Sequence, residues 1–115
     1  MADVQTTTKL DIAAIGALIA ADITSRYGHK VDPEVKNPTE NRHGEYGHLD
    51  IEQTFGVFGM VIKTATVSLR AEPVSDGTVW VLVSLSYEHT NGGSNGSNIG
   101  TYWLRDGAIE NYREG

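Results

Sequence analysis

The sequence predicts an α+β domain in which one N-terminal amphipathic helix packs on a curved, mainly antiparallel four-stranded meander. Three observations carry that expectation: isoleucines recur every three or four residues near the start, apolar and polar side chains alternate in two later runs, and Asp106-Gly107 marks a tight hairpin turn. At 115 residues the chain is expected to hold one domain, residues 1–115, with a modest core.

The helix is expected over residues 8–28. Thr8 can cap exposed N–H groups, and Asp11 sits in the positively polarised first turn. Ile12, Ile15, Ile19, Ile23 and Tyr27 form one apolar stripe, Asp22 and Arg26 pair at i,i+4 on the wet side, and Gly28 supplies a left-handed stop. Residues 29–48 carry Pro33, Pro38, Asn37 and Asn41 without apolar periodicity and read as a long surface connection. Such a length is unusual for an ordered loop and suggests function or packing on a partner. Residues 50–59 read two ways: Leu49 and Ile51 alternate like a strand, while Ile51, Phe55 and Phe58 fit a short helix, which is the preferred reading.

The meander is expected over residues 60–113. Val61, Ala65, Val67, Leu69 and Ala71 alternate with Ile62, Thr64, Thr66, Ser68 and Arg70, and residues 73–77 turn the chain. Val79, Val81, Val83, Leu85 and Tyr87 then alternate with Trp80, Leu82, Ser84, Ser86 and Glu88. The Gly, Asn and Ser residues of 90–98 read as a mobile loop, followed by strands at 99–105 and 108–113 across the Asp106-Gly107 turn.

That arrangement leaves one sheet face without cover. If the odd positions of the two long strands face the helix, Phe58, Met60, Ile62, Trp80 and Leu82 point the other way. Trp103 lies across from Glu110 and diagonal to Tyr112, adding aromatic area. These seven residues, Phe58, Met60, Ile62, Trp80, Leu82, Trp103 and Tyr112, are the candidate interface or pocket. Apolar burial is worth about 25 cal/mol per Å², so a second layer, either another protein or the chain's own connecting segment, is expected to cover them.

Composition narrows the function further. Fifteen acidic against nine basic residues give a formal net charge of −6, which argues against a nucleic-acid or anionic-membrane partner. The absence of cysteine excludes disulfides, thiolate zinc sites and cysteine nucleophiles. The apolar run of residues 12–19 is too short to span a bilayer, and the start lacks the pattern of a secretory signal, so a cytoplasmic location is expected. On that ground the sequon Asn95-Gly96-Ser97 is set aside.

His43, His48, Glu45 and Asp50, with His29 upstream, place potential metal ligands close in sequence. The i,i+5 spacing of the two histidines does not align them on a helix, and a solvated loop with no metal is the preferred reading. Gly92, Gly93 and Gly96 join two strands and do not lead into a helix, which removes the phosphate-cradle reading. Trp80, Trp103, Tyr102 and Tyr112 could stack bases or sugars, but sheet packing is preferred.

The segments DGTVWVLVSLSYEH and GTYWLRDGAIENYRE, within residues 76–114, resemble the closing strands of the NTF2-like superfamily, the SnoaL and ketosteroid-isomerase-like proteins. That resemblance implies a sheet closed into a pocket. It makes Tyr27, His48, Asp50, Tyr102 and Trp103 the pocket candidates, with Asp50 or His48 as proton carrier. The preferred expectation is a non-catalytic structural or protein-association module without cofactor, a subunit of a homo-oligomer or larger particle such as a phage-type virion. The alternative is an NTF2-like pocket protein, an isomerase- or hydratase-type enzyme or a ligand binder. A small acidic inhibitor of another protein's basic groove is the third reading.

Overall fold

The computed structural model describes residues 10–41, 44–52, 62–75, 77–90 and 92–115. Among these residues one helix, α1 (Ile12–Tyr27), precedes six strands: β1 (Lys36–Asn41), β2 (Gly44–Asp50), β3 (Ile62–Ser75), β4 (Thr78–His89), β5 (Ser94–Arg105) and β6 (Ala108–Glu114). They form a single antiparallel sheet in the order β1-β2-β3-β4-β5-β6. The α+β class with an antiparallel sheet stands, but the sheet has six strands where four were expected.

The helix begins later than residue 8. Asp11 is its N-cap, accepting a hydrogen bond from the Ala14 N–H at 3.1 Å, and Thr8 lies outside the described residues. Gly28, at φ 76°, ends it as expected. Thr24 ties this end to the following chain, donating to the Ala20 carbonyl at 2.8 Å and accepting from the Val31 N–H at 3.2 Å. The expected stripe is the buried one: Ile15, Ile19 and Ile23 enter the core beside Leu49, Val67, Leu69, Val81, Val83, Tyr102 and Leu104, with Ile12 and Tyr27 packed at its margin.

The expected loop at 29–48 contains β1 and most of β2. The core-facing positions of β2 are Glu45, Gly47 and Leu49, only one of them a large apolar residue, and the space over Gly47 is taken by the Val35 side chain. β1 is an edge strand carrying Pro38 and a left-handed Asn37 at φ 50°, so it pairs on one side and shows no apolar pattern. The short helix expected at 50–59 fails at its start, where Asp50 closes β2 and Ile51 bridges Val31, and its remainder lies outside the described residues. β3 runs through Pro73 with a register shift before Ser75, later than the expected turn. The loop expected at 90–98 is mostly the first half of β5.

At about 1.5 Å per residue the helix covers about 24 Å, whereas twelve strand residues at about 3.3 Å extend about 40 Å. The N-terminal end of α1 lies against Gly77 and Asp106, and its C-terminal end lies against Leu85 and Ile99. The β4–β5 hairpin therefore outruns the helix, in a molecule measuring 57 × 24 × 21 Å. Among the described residues no helix extends over this end of the hairpin to demand apolar partners, which is why residues 94–98 could be Ser, Asn and Gly and still form a strand.

Among the described residues the buried polar or charged positions are Glu45 and Thr78. Thr78 is 9% exposed, and among the described residues its Oγ1 has no hydrogen-bond partner. Exchange for the near-isosteric valine removes that desolvated hydroxyl, so Thr78→Val is expected to stabilise by about 0.5–1 kcal/mol in chemical denaturation. A destabilised variant would show that the hydroxyl is satisfied.

Candidate functional site

Strand alternation sorts the sheet into two faces. The face opposite α1 carries cross-strand rows that can be followed residue by residue. One row runs Glu72, Trp80, Trp103, Asn111, and the next runs Tyr46, Arg70, Leu82, Thr101. Beyond them lie His48, Ser68, Ser84 and Asn98, then Asp50, Thr66 and Ser86. The face is thus aromatic at the end nearer the Asp106-Gly107 turn and small and hydroxylated at the other. Arg70 donates to Glu72 at 2.8 Å and lies 5.8 Å from the Trp80 ring centroid, so both charges sit within the aromatic patch. Among the described residues no element packs on this face.

The expected interface residues divide accordingly. Trp80, Leu82 and Trp103 lie together on the open face, each half-buried. Phe58 and Met60 fall outside the described residues, and Ile62 is placed only as the first residue of β3, in register with His89. Tyr112 belongs to the opposite face. A bulge explains it: Leu104 pairs with Ile109 but Trp103 pairs with Asn111, leaving Glu110 as an extra residue. A one-residue shift exchanges faces, so Tyr112 comes to lie across from Tyr102.

On the helix side, this shift builds a polar aromatic network. The fully buried Tyr102 donates its hydroxyl to Asp22 at 2.5 Å, and Asp22 also accepts from Arg26 Nε at 3.1 Å. The Arg26 guanidinium stacks 4.0 Å from the Tyr112 ring centroid, and the Tyr102 and Tyr112 centroids are 4.5 Å apart. Tyr27 and Tyr112 share a hydroxyl contact of 2.6 Å, Tyr27 also reaches Glu114 at 3.2 Å, and Tyr112 reaches the Ile99 carbonyl at 3.2 Å. Gly100 makes this possible, since a Cβ there would stand 2.5 Å from the Arg113 carbonyl oxygen and 2.8 Å from the Tyr112 ring.

Beside the network, where the hairpin leaves the helix, is a half-open cleft of about 450 Å³. Leu85, Tyr87 and Ile99 form its apolar wall, and Tyr27, Glu114 and Ser97 its polar edge. Burial pushes the Tyr102 and Tyr27 phenols above the usual tyrosine range, and their hydrogen bonds to Asp22 and Tyr112 add to it. A phenol so held is a hydrogen-bond donor at neutral pH.

The residues implied by the family resemblance do not converge. Tyr27 borders the cleft and Tyr102 lies buried beneath the helix, whereas His48, Asp50 and Trp103 are on the other face. His48 contacts Ser68 through Nδ1 at 3.2 Å, and Asp50 accepts from Thr66 at 3.5 Å. The run of potential metal ligands is split too: Glu45 faces the core while His48 and Asp50 face outward, and His43 lies outside the described residues. Among the described residues no three His, Asp or Glu side chains gather into a metal-holding group, and no helix is long and apolar enough to cross a membrane.

The cleft is the feature that sequence reasoning missed. Its only signal was the apolar alternation of Leu85 and Tyr87 continuing past the end of the helix. Comparison with protein-family models, curated proteins and solved structures finds no match for this chain.

Proposed function

We propose that the protein is a non-catalytic association module that pairs with a second copy through its open sheet face. The observation that carries this reading is the cluster of Trp80, Trp103, Leu82, Tyr46 and Arg70 on a face with no cover among the described residues. Tryptophan, tyrosine and arginine are the residues that dominate binding energy at protein interfaces. Six strands at about 4.8 Å spacing, three of them about 40 Å long and three about 20 Å, give a face on the order of 900 Å², against the roughly 800 Å² that each partner buries in a standard interface.

Charge favours like pairing with like. Arg70 and Glu72 lie side by side in the patch, so a two-fold axis through it sets Arg70 of each copy opposite Glu72 of the other. Lateral growth is discouraged: β1 carries Pro38 and a register irregularity, and β6 carries Glu110, Arg113 and Glu114. Face-to-face pairing therefore closes at two copies and does not extend into fibres.

Light scattering across the micromolar range tests this. The expected result is a concentration-dependent rise from 12.5 kDa to twice that mass. Leu82→Glu is expected to weaken the dimer by at least about 100-fold, since it replaces an apolar contact by two carboxylates, one from each copy, that must be desolvated and brought together. In the monomer the same glutamate neighbours Arg70, so folding stability changes by no more than about 1 kcal/mol. A chain that stays monomeric throughout, or a dimer indifferent to Leu82→Glu, would overturn the proposal.

A further inference from the structure

The cleft at the C-terminal end of α1 is on the opposite side of the sheet from the proposed dimer face, and what it does is independent of dimer formation. We infer that it binds a small organic ammonium ion carrying an aromatic or bulky apolar body.

Shape and chemistry both point there. At about 450 Å³ the cleft is in the range of pockets that hold small molecules. Leu85, Tyr87 and Ile99 offer an apolar wall for the body of such a ligand. The charged residue at the edge is the Glu114 carboxylate, and no lysine or arginine lines the cleft among the described residues. Arg26, the nearest cation on α1, is engaged by Asp22 and stacked on Tyr112. Tyr27 and Tyr87 add ring faces, which attract an ammonium group and repel an anion.

The hydroxyl network also leaves room at Glu114. Tyr27 and Tyr112 together have two hydroxyl protons, while three contacts call for one: Tyr27 to Glu114, Tyr27 with Tyr112, and Tyr112 to the Ile99 carbonyl. When Tyr27 donates to Tyr112, Tyr112 is free to donate to Ile99, and Glu114 gives up the Tyr27 proton. A bound ammonium supplies a donor to Glu114 in that arrangement, so the two remaining hydroxyl contacts and the carboxylate are satisfied at once.

A matched set of indole probes tests the inference on the full chain by NMR titration. Protonated tryptamine carries the cation, tryptophol the neutral alcohol and indole-3-acetate the anion on one ring system. Tryptamine is expected to bind saturably with a Kd below about 1 mM and to shift the resonances of Leu85, Tyr87 and Ile99. Tryptophol should bind about five- to tenfold more weakly, because a hydrogen bond to a charged partner exceeds its neutral counterpart, and indole-3-acetate should not bind. Glu114→Gln is expected to bring tryptamine down to the level of tryptophol. Glu110→Gln, which removes the same charge from the same strand at a site paired with Arg105, should leave the preference intact. Equal binding of the three probes would overturn the inference. So would shifts confined to the Trp80 and Trp103 face, a Glu110→Gln effect as large as that of Glu114→Gln, or no binding at all.

Discussion

Tyr102→Ala is expected to cost about 3–5 kcal/mol, and Tyr102→Phe about 1.5–3 kcal/mol, in equilibrium denaturation. The alanine figure is the cost of emptying a fully buried aromatic site at the centre of β5; the phenylalanine figure is that of removing one hydrogen bond to a charged acceptor. In a domain whose total stability is about 5–15 kcal/mol, the first is a large share. The phenylalanine variant keeps the ring against Tyr112 and leaves Asp22 with Arg26, so it isolates the 2.5 Å contact between helix and sheet. A Tyr102→Phe loss below 0.5 kcal/mol would show that this contact contributes little.

The same residue sets the alkaline limit. In the unfolded chain a tyrosine titrates near pH 10, and in the folded chain Tyr102 and Tyr27 titrate above that value. A raised folded-state pKa means that the unfolded chain releases the proton first. The stabilisation is therefore complete below about pH 10 and is lost as pH rises through the folded-state value. Wild-type stability should fall on the alkaline side of pH 10, and Tyr102→Phe should flatten that limb while leaving the slope near neutrality unchanged. A parallel limb in the variant would move the effect to other groups.

How much of this was legible in the residues depends on which side of the sheet is considered. Wherever α1 packs, the strands under it must alternate, and Val67, Leu69, Val81, Val83 and Leu85 announced β3 and β4 plainly. The helix stripe, the Gly28 stop and the Asp106-Gly107 turn were visible for the same kind of reason: each is a local requirement met by a particular residue type. Both central residues of that turn have positive φ, 51° and 82°. Strands held mainly by the main-chain ladder left no such trace. β1 is a polar edge, β2 gives core positions to Gly47 and Glu45, and the first half of β5 lies past the helix. The open face was half legible. Trp80, Leu82 and Trp103 were placed together correctly, but Tyr112 was not, because a bulge at Glu110 depends on the partner strand and has no marker within β6 itself.

Close approach of α1 to β2 yields the second large effect. Val35 sits in a slot between Gly16 on the helix and Gly47 on the strand, with one methyl group over each. A Cβ added at either glycine meets a β-branched side chain that has little rotamer freedom with which to escape. Gly16→Ala gains about 1 kcal/mol of helix propensity but costs about 1–3 kcal/mol in overpacking, so the net change is destabilising. Gly47→Ala has no helix term to offset its clash, and because Val35 cannot retreat from both sides, the double variant should lose about 2–5 kcal/mol. Shortening the plug reverses the sign. In a Val35→Ala background the methyl groups are gone, the Gly16 clash is relieved and the helix term remains, so Gly16→Ala becomes stabilising by up to about 1 kcal/mol. A double-mutant cycle in urea reads that inversion directly. If Gly16→Ala has the same sign and size in both backgrounds, Val35 is not what holds the helix at its distance from the sheet.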